Sequence, residues 1–350
     1  MPNRSNFEVM NDISLLPYRI SVFYTLGQRL LLLNDTEKAD LAYRAGGQNN
    51  WFTEESVSKA IDAWAKSLNK EALEQFTADH KLSPDEPKTV GLVMAGNIPM
   101  VGFHDLLSVL ISGHKALIKL SSQDGVLMQF LIGQIREIEP ALAERITISE
   151  RMHGVDAVIA TGSDNSARYF KHYFAKHPHI IRQNRTSIGI IKGDESAEAI
   201  QALGDDLFQY YGLGCRNVSK LYVPAGFDFK PFIDALLGFE QVLDHHKYRN
   251  NYDYNKSIYL VNREPHLDSG FFLVRESEEL VSPISVIFYE HYQSEAELSL
   301  KLASQQDKIQ AITSDQGWYE GSIPFGTAQQ PALWDFADGV DTLEFLDGLT

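Results

Sequence analysis

The sequence is almost without cysteine, and it lacks a hydrophobic leader. Cys215 is the only cysteine among 350 residues, which excludes an intramolecular disulfide and with it the class of secreted, disulfide-stapled domains. Residues 1–16 carry charged and amide side chains and no apolar core, so they do not have the pattern of a signal peptide. We therefore expect a cytoplasmic protein.

Long apolar runs and positively charged stretches are missing as well. The longest apolar region, residues 106–120, is interrupted at 112–115 by Ser-Gly-His-Lys and is too short for a transmembrane helix. The formal net charge is -16, from 47 acidic and 31 basic residues, and the basic residues form no stripe. Since such a field repels nucleic acid and anionic membranes, we expect no nucleic-acid partner and no membrane span.

Several motifs that mark enzyme classes are also absent. The sequence has no G-x-G-x-x-G fingerprint, no P-loop and no G-x-S-x-G nucleophile elbow. The pairs His177/His179 and His245/His246 lack a carboxylate or cysteine at the spacing of a metal site. We interpret these four histidines as structural or surface residues, and we expect no metal.

The pattern that is present indicates an α/β protein. Hydrophobic residues make up 44% and charged residues 22% of the chain, which is an ordinary globular composition with enough length for two domains. Apolar residues recur at helical spacing through residues 18–80, where Thr53 is a suitable helix start. Residues 82–87, with two prolines, are predicted to be a linker.

Beyond this linker, strands and helices are predicted to alternate in two blocks, the second starting near residue 187. Such alternation predicts right-handed βαβ units and mostly parallel sheets. The predicted strands are 89–94, 116–120, 146–148, 157–160, 187–191, 219–223, 257–261 and 286–289. The predicted helices are 99–111, 125–138, 165–175, 197–211 and 229–237.

Three polar segments lie at or just after the ends of predicted strands, where parallel sheets bind their ligands. Asn97 lies between a strand and a helix, so its amide and the backbone N–H groups there could stabilise an oxyanion; the alternative is a plain turn. Lys119, followed by Ser121 and Ser122, could meet a ribose or phosphate, or could be a solvated edge lysine. Thr161-Gly162-Ser163 could hold a pyrophosphate, or Ser163 could simply cap a helix.

A fourth segment surrounds the single cysteine. Gly212 and Gly214 precede Cys215 and would let the backbone bend sharply, and Arg216 would lower the thiol pKa and favour the reactive thiolate. A lone cysteine is more commonly a buried and inert residue. On this segment alone, both interpretations stay open.

Taken in order, these segments resemble the aldehyde dehydrogenase superfamily, and within it the acyl-CoA reductase branch that includes the long-chain fatty-acid reductase of bacterial bioluminescence. The resemblance covers residues 88–345 and includes Pro324-Phe325-Gly326. It implies that Cys215 is the nucleophile and that Asn97, with Pro99 two residues on, stabilises the oxyanion. It also implies cofactor binding by Lys119, which follows Asn97 by 22 residues, and by Ser121, Ser122, Thr161, Gly162, Ser163 and Glu279.

The fold that this resemblance implies has a Rossmann-type cofactor domain, a second α/β catalytic domain and N-terminal helices. The expected divisions are an N-terminal helical segment, a cofactor-binding domain, a catalytic domain and a C-terminal segment, at residues 1–87, 88–186, 187–325 and 326–350. The family's oligomerisation hairpin has no room between Pro84 and Thr89, so the family tetramer is not expected. The resemblance leaves room for a homodimer.

Two departures from the family pattern sharpen the expected function. The glutamate that activates hydrolytic water in aldehyde-oxidising members has no counterpart in residues 182–187, which favours thiol exchange over hydrolysis. Ser122 replaces the acid that binds the ribose hydroxyls of NAD, which favours NADPH over NADH. We expect NADPH-dependent reduction of an acyl-CoA to an aldehyde through an S-acyl cysteine.

Three alternatives to this expectation remain. The acyl group could come from a carrier protein or from an acyl-donating partner enzyme. The chain could be an aldehyde or semialdehyde dehydrogenase of the same fold, or a non-catalytic member that binds nucleotide.

Overall fold

The computed structural model describes residues 12–349, and its chain forms two compact units. The first unit contains the chain up to Gln183 together with the residues from Ala332 onward. The second unit is the inserted segment Asn184–Pro331. The functional divisions expected from the sequence, with ends at 87, 186 and 325, stay predictions.

The first unit begins with helices, as predicted for residues 18–80. Asn34 forms a capping box with Glu37, while Thr53 and Asn69 cap the two helices that follow. Their apolar faces contribute Phe23, Leu26 and other side chains to the core of this unit. The helices are α1 Leu16–Leu31, α2 Asp35–Gly46, α3 Glu54–Ser67 and α4 Lys70–Thr77.

A five-stranded parallel sheet forms the centre of the first unit. Its strand order is β3-β2-β1-β4-β5, so the direction of winding reverses between β1 and β4. Ligands of such sheets bind outside the carboxyl ends of the strands at this reversal. The strands are β1 Thr89–Val93, β2 Lys115–Lys119, β3 Ile146–Ile148, β4 Ala157–Thr161 and β5 His179–Arg182. The helices are α5 Phe103–Ile111, α6 Gly125–Ile138, α7 Pro140–Ala143 and α8 Asp164–Tyr173, with a C-terminal helix Thr342–Asp347 packed against α5.

The second unit is built on a larger sheet. Its order is β12-β11-β6-β7-β10-β9-β8, and every pairing is parallel except that of β8 with β9. The strands are β6 Thr186–Ile190, β7 Val218–Pro224, β8 Leu267–Asp268, β9 Leu273–Glu276, β10 Val286–Tyr292, β11 Ile309–Ser314 and β12 Ile323–Pro324. The helices are α9 Ala197–Phe208, α10 Phe229–Leu236, α11 His246–Asn262 and α12 Glu295–Ala303.

The strand predicted at 257–261 is wrong, because these residues belong to helix α11. The run Ser-Ile-Tyr-Leu-Val has the side chains of a strand, but only one of its residues, Tyr259, is buried. Tyr248, Tyr252 and Asn255 are the other buried residues of this helix and recur at helical spacing, whereas Val261 is 82% exposed. Tertiary packing along one helical face therefore overrides local strand propensity.

Two predicted helix ends also shift. The helix predicted from residue 99 begins at Phe103, because Met100 has a left-handed φ of 59°. The helix predicted to reach residue 211 ends at Phe208, where a left-handed turn begins.

In residues 12–349, no helix is both long enough and apolar enough to cross a membrane.

Candidate functional site

The loop between β1 and α5 carries Asn97 at the carboxyl edge of the first sheet. Asn97 is exposed, and three contacts hold the loop beneath it. The amide of Asn49 donates to the Gly96 carbonyl at 3.4 Å, and the Met100 N–H donates to Asp124 Oδ2 at 2.8 Å. A Cβ on Gly96 would lie 2.4 Å from Ser121 Oγ, so only glycine allows this approach. The position of Asn97 is thus set by its neighbours in the fold.

Asp124, one of these neighbours, is a buried acid with an unusual pKa. Its side chain is 1% exposed, and Oδ1 has no hydrogen-bond partner. Burial raises the pKa to about 8, although the bond from the Met100 N–H opposes this shift. The neutral acid is therefore the favoured form in the folded protein over most of the pH range below 8.

We predict that Asp124→Asn changes the pH dependence of stability. Because the folded pKa lies above the unfolded value, this carboxyl favours folding below pH 4, and the contribution is lost as pH rises towards 8. Asparagine keeps the acceptor oxygen without the charge. Urea unfolding at pH 5 and pH 8 should show the wild type losing more stability than the variant, by at least about 1.4 kcal/mol. Asp85→Asn, at an exposed acid, is the matched control, and equal losses in wild type and Asp124→Asn would contradict the prediction.

The carboxyl end of β2 holds Lys119, Ser121 and Ser122. Lys119 Nζ lies 3.6 Å from Glu150 Oε2, and Glu150 follows the neighbouring strand β3. Ser121 Oγ accepts from the Gln123 N–H at 3.2 Å and packs on the Asn97 loop, while Ser122 is exposed. The sequence did not point to Glu150, because its nearness to Lys119 depends on the strand order.

Thr161-Gly162-Ser163 follows β4, the strand beside β1 at the winding reversal. Ser163 Oγ accepts from the Ser166 N–H at 3.4 Å, so it caps α8 as the simpler interpretation expected. A Cβ on Gly162 would lie 2.8 Å from the Ser166 Cβ and 3.0 Å from the Phe170 ring. This close approach packs the turn tightly against the start of α8, and the Gly162 N–H is itself bound to the Arg182 carbonyl at 3.3 Å. The N-terminus of α8 favours a negatively charged group such as a phosphate.

Cys215 is half-buried and follows a strained turn in the second unit. Tyr210, Tyr211 and Gly212 are consecutive left-handed residues, with φ of 53°, 58° and 79°. The sequence placed the sharp bend on Gly212 and Gly214, but most of it falls on the two tyrosines. Non-glycine residues in this region cost on the order of 1–3 kcal/mol each and cluster at functional sites.

Asn217 and Ser187 hold the cysteine loop in place. The Asn217 amide donates to the Gln209 carbonyl at 2.7 Å, and its Oδ1 accepts from the Gly214 N–H at 2.8 Å. Ser187 Oγ, on β6, donates to the Cys215 carbonyl at 3.1 Å. Asn217 and Ser187 are buried, so the loop rests on rigid elements. Nothing in the sequence distinguished these two residues from ordinary polar side chains.

Glu279 is exposed and lies in the loop between β9 and β10. Its own N–H donates to Ser277 Oγ at 3.1 Å. The carbonyl of the next residue, Leu280, accepts from Ser219 Oγ at 2.9 Å, which connects this loop to β7. Cys215 lies just before β7 in the chain, and the loop that carries Glu279 is hydrogen-bonded to β7.

The structure thus groups the predicted residues in two sets. In the first unit, Asn97, Lys119 and the three residues from Thr161 all follow parallel strands at one edge of a sheet. In the second unit, the Cys215 carbonyl is bound by Ser187 on β6, and the Leu280 carbonyl next to Glu279 is bound by Ser219 on the adjacent strand β7. Within the described part of the chain, no three histidine, cysteine or acidic side chains are grouped as metal ligands.

Sequence comparison gives the family. A model of the family described as "Acyl-CoA reductase (LuxC)" matches residues 50–238, more than half of the chain. The chain belongs to the acyl-CoA reductase (LuxC) family. A long-chain acyl-protein thioester reductase from Aliivibrio fischeri is 25% identical over 201 residues, covering 51% of this chain and 41% of that protein. The chain thus matches less than half of its curated relative's length.

Solved structures give the fold of this acyl-CoA reductase family member. The NAD+ complex of an aldehyde dehydrogenase from Bacillus cereus has a TM-score of 0.59 and 14% identity, covering 86% of this chain and 72% of that one. A putative aldehyde dehydrogenase from Burkholderia cenocepacia has a TM-score of 0.63 and 14% identity, covering 92% and 77%. The predicted aldehyde dehydrogenase-like fold is confirmed.

In this acyl-CoA reductase family member, the stretch without the expected glutamate has a structural role. Arg182 Nη1 donates to both oxygens of Asp105 on α5, at 2.6 and 2.7 Å, and Nη2 donates to Thr342 Oγ1 at 2.9 Å. Arg182 and Asp105 are buried. The side chain that begins this stretch thus holds the first unit together.

Proposed function

We propose that the chain reduces a fatty acyl thioester to an aldehyde through an S-acyl intermediate on Cys215. The observation that carries this proposal is the strained, hydrogen-bonded loop that presents a half-buried thiol just before β7. A buried structural cysteine has no need of two left-handed tyrosines and a serine bound to its carbonyl. Strain of this kind is retained where the geometry of one group matters.

The chemistry begins with the Cys215 thiolate. Its sulfur attacks the acyl carbonyl, the tetrahedral oxyanion collapses, and the donor thiol leaves with a proton. The Asn97 amide and the Cys215 N–H are the proposed donors to that oxyanion. A nicotinamide cofactor, when bound, supplies the hydride that reduces the S-acyl group. The carbon–sulfur bond then breaks, giving the aldehyde and the thiolate.

The carboxyl edge of the first sheet suits a dinucleotide. Thr161, Gly162 and Ser163 lie at the start of α8, whose N-terminus favours negative charge, and Lys119 adds a positive charge two strands away in the order β2-β1-β4. We propose that Lys119, Ser121 and Ser122 bind the adenosine ribose, with Thr161, Gly162 and Ser163 at the pyrophosphate. Glu279 is proposed to bind the nicotinamide ribose.

NADPH is the proposed cofactor in preference to NADH. Ser122 is exposed and uncharged where a carboxylate would repel a 2′-phosphate, and the nearby Lys119 would attract one. Glu150 is the opposing charge, since it pairs with Lys119. Its side chain is 88% exposed, so it can turn into water when a phosphate takes its place.

Reduction is favoured over aldehyde oxidation by the stretch 182–187, which begins at the last residue of β5. Its Arg182 is committed to Asp105, and it has no glutamate that could activate water. An S-acyl cysteine formed here would exchange with thiols faster than it hydrolyses. The family description names acyl-CoA, whereas the relative's name specifies an acyl-protein thioester. We propose fatty acyl-CoA as the acyl donor. The alternative donor is an acyl-protein, or a partner enzyme that supplies the acyl group.

The test is cofactor oxidation against a panel of acyl donors. Acyl-CoAs of increasing chain length and one acyl-carrier protein are each combined with NADPH and with NADH, and the aldehyde is trapped and quantified. We expect one aldehyde per NADPH oxidised, with a preference for long chains. A parallel assay supplies aldehyde with NADP+ or NAD+, and turnover only there, from aldehyde to free acid, would instead identify an aldehyde dehydrogenase. No turnover together with an unreactive Cys215 would indicate a non-catalytic nucleotide-binding member.

A further inference from the structure

The second unit contains a buried lysine that the proposed chemistry does not use. We propose that Lys220, on β7, is a positioning residue that fixes the Glu279 loop relative to the cysteine strand and so sets the affinity for the nicotinamide end of the cofactor. This inference rests on the proposed function, because Lys220 affects cofactor affinity only if Glu279 binds the nicotinamide ribose.

Two residues of β7 bind the backbone on both sides of Glu279. Lys220 Nζ donates to the Glu278 carbonyl at 3.1 Å, and Ser219 Oγ donates to the Leu280 carbonyl at 2.9 Å. The two donors are adjacent in the chain, at an irregularity where β7 has one extra residue, Ser219, opposite β6. Because the carbonyls before and after Glu279 are both bound, its Cα position is determined by β7.

The same strand is connected to the cysteine loop. Ser219 Oγ lies 2.7 Å from Thr186 Oγ1 on β6, and the next residue of β6, Ser187, donates to the Cys215 carbonyl at 3.1 Å. A continuous set of side-chain hydrogen bonds therefore runs from the Cys215 backbone through β6 and β7 to Leu280. It fixes the nucleophile and the Glu279 backbone in one rigid framework.

Lys220 is placed where a lysine is costly. Its side chain is fully buried, and its partners across the sheet are Phe288 and Ile188, both apolar. A leucine would fill such a position without the cost of removing a charge from water. Lys220 instead needs compensating contacts, and an apolar residue could make neither its bond to the Glu278 carbonyl nor its ion pair with Glu290.

The further compensating contacts come from β10 and from β7 itself. Glu290 Oε2, on β10, lies 2.7 Å from Lys220 Nζ, and the Tyr222 ring centroid on β7 lies 5.0 Å from it. Lys301, on α12, binds the other oxygen of Glu290. Burial, and after it the charge of Lys301, lower the pKa of Lys220 to about 8, while Glu278 opposes the shift. The affinity that Lys220 maintains should therefore weaken as the pH rises through 8.

The experiment compares Lys220→Met with Lys301→Met. Methionine fills the volume of either lysine but cannot donate to a carbonyl. Lys220→Met should raise the KM for NADPH about tenfold, the loss expected for one charge-assisted hydrogen bond, while kcat falls less. We expect the KM of the wild type to rise between pH 7 and pH 9, and Lys220→Met should abolish that rise. Lys301→Met removes the other lysine bound to Glu290 and should keep KM within about twofold.

Ser219→Ala covers the case in which Lys220→Met does not fold. It removes the bond to the Leu280 carbonyl together with the bond to Thr186 Oγ1, leaves Lys220 in place, and should raise the KM for NADPH by about threefold. If the wild type is active and Lys220→Met has an unchanged KM for NADPH, this inference is overturned and the proposed function stays intact. Where Lys220→Met is insoluble, an unchanged KM in Ser219→Ala has the same meaning. An inactive wild type would refute the proposed function itself.

Discussion

Replacing Cys215 with alanine is expected to abolish aldehyde formation from acyl thioesters while NADPH binding is retained. The variant loses the atom that carries the acyl group, and removal of a catalytic nucleophile costs on the order of 10⁴-fold or more in rate. The loop itself should persist, because Ser187 binds the Cys215 carbonyl and Asn217 binds the Gly214 N–H, which alanine leaves unchanged. Trapped aldehyde measures the first effect, and quenching of protein fluorescence by NADPH measures the second.

The single cysteine supplies a control for this experiment. A thiol reagent can modify only Cys215, so labelling of the wild type should block activity in proportion to the thiol consumed. Incubation with an acyl-CoA before labelling should protect the thiol. A Cys215→Ala enzyme that still makes aldehyde at a wild-type rate would rule out the covalent scheme.

Replacing Arg182 with methionine is expected to destabilise the first unit by about 3–5 kcal/mol. The substitution leaves the buried Asp105 carboxylate without its cation, and breaking a buried ion pair from one side costs about this much. It also removes the bond to Thr342 on the C-terminal helix. Urea unfolding measured at pH 7 gives the change in free energy.

Two variants act as controls for the buried pair. Arg29→Met breaks the exposed ion pair with Glu137 and should change stability by no more than about 1 kcal/mol. The double variant Asp105→Leu/Arg182→Met removes both charges and should recover a large part of the loss. A loss below about 1 kcal/mol in Arg182→Met would show that Asp105 finds another partner.

Much of the fold could be predicted from the sequence, because turn and cap residues mark the ends of its helices and strands. Helix α6 and strand β3 have the bounds that were predicted, 125–138 and 146–148. Each is a strongly apolar segment with polar residues at its ends. The failure at 257–261 has the opposite cause, since a β-prone run lies inside a longer helix whose buried face is visible only when residues from 248 onward are counted together.

The sequence identified candidate site residues only where the residue type itself indicates a chemical role. Asn97, Lys119 and Cys215 could be selected because they follow or precede predicted strands. Glu150 and Asp124 could not, because their importance depends on strand order and on burial. The left-handed tyrosines before Cys215 were invisible for a different reason, since tyrosine has no intrinsic preference for that conformation and is held in it by its surroundings.

The discontinuous first unit has a consequence for synthesis on the ribosome. His104 Nε2 meets the Leu333 carbonyl at 2.8 Å and His114 Nε2 meets the Leu346 carbonyl at 3.0 Å, and Arg182 binds Thr342. These contacts form only after the entire inserted segment Asn184–Pro331 has been translated. Until then, the side chains of His104, His114 and Arg182 lack these hydrogen-bond partners, and the first unit is incomplete. During this interval the nascent chain is exposed to chaperones and proteases.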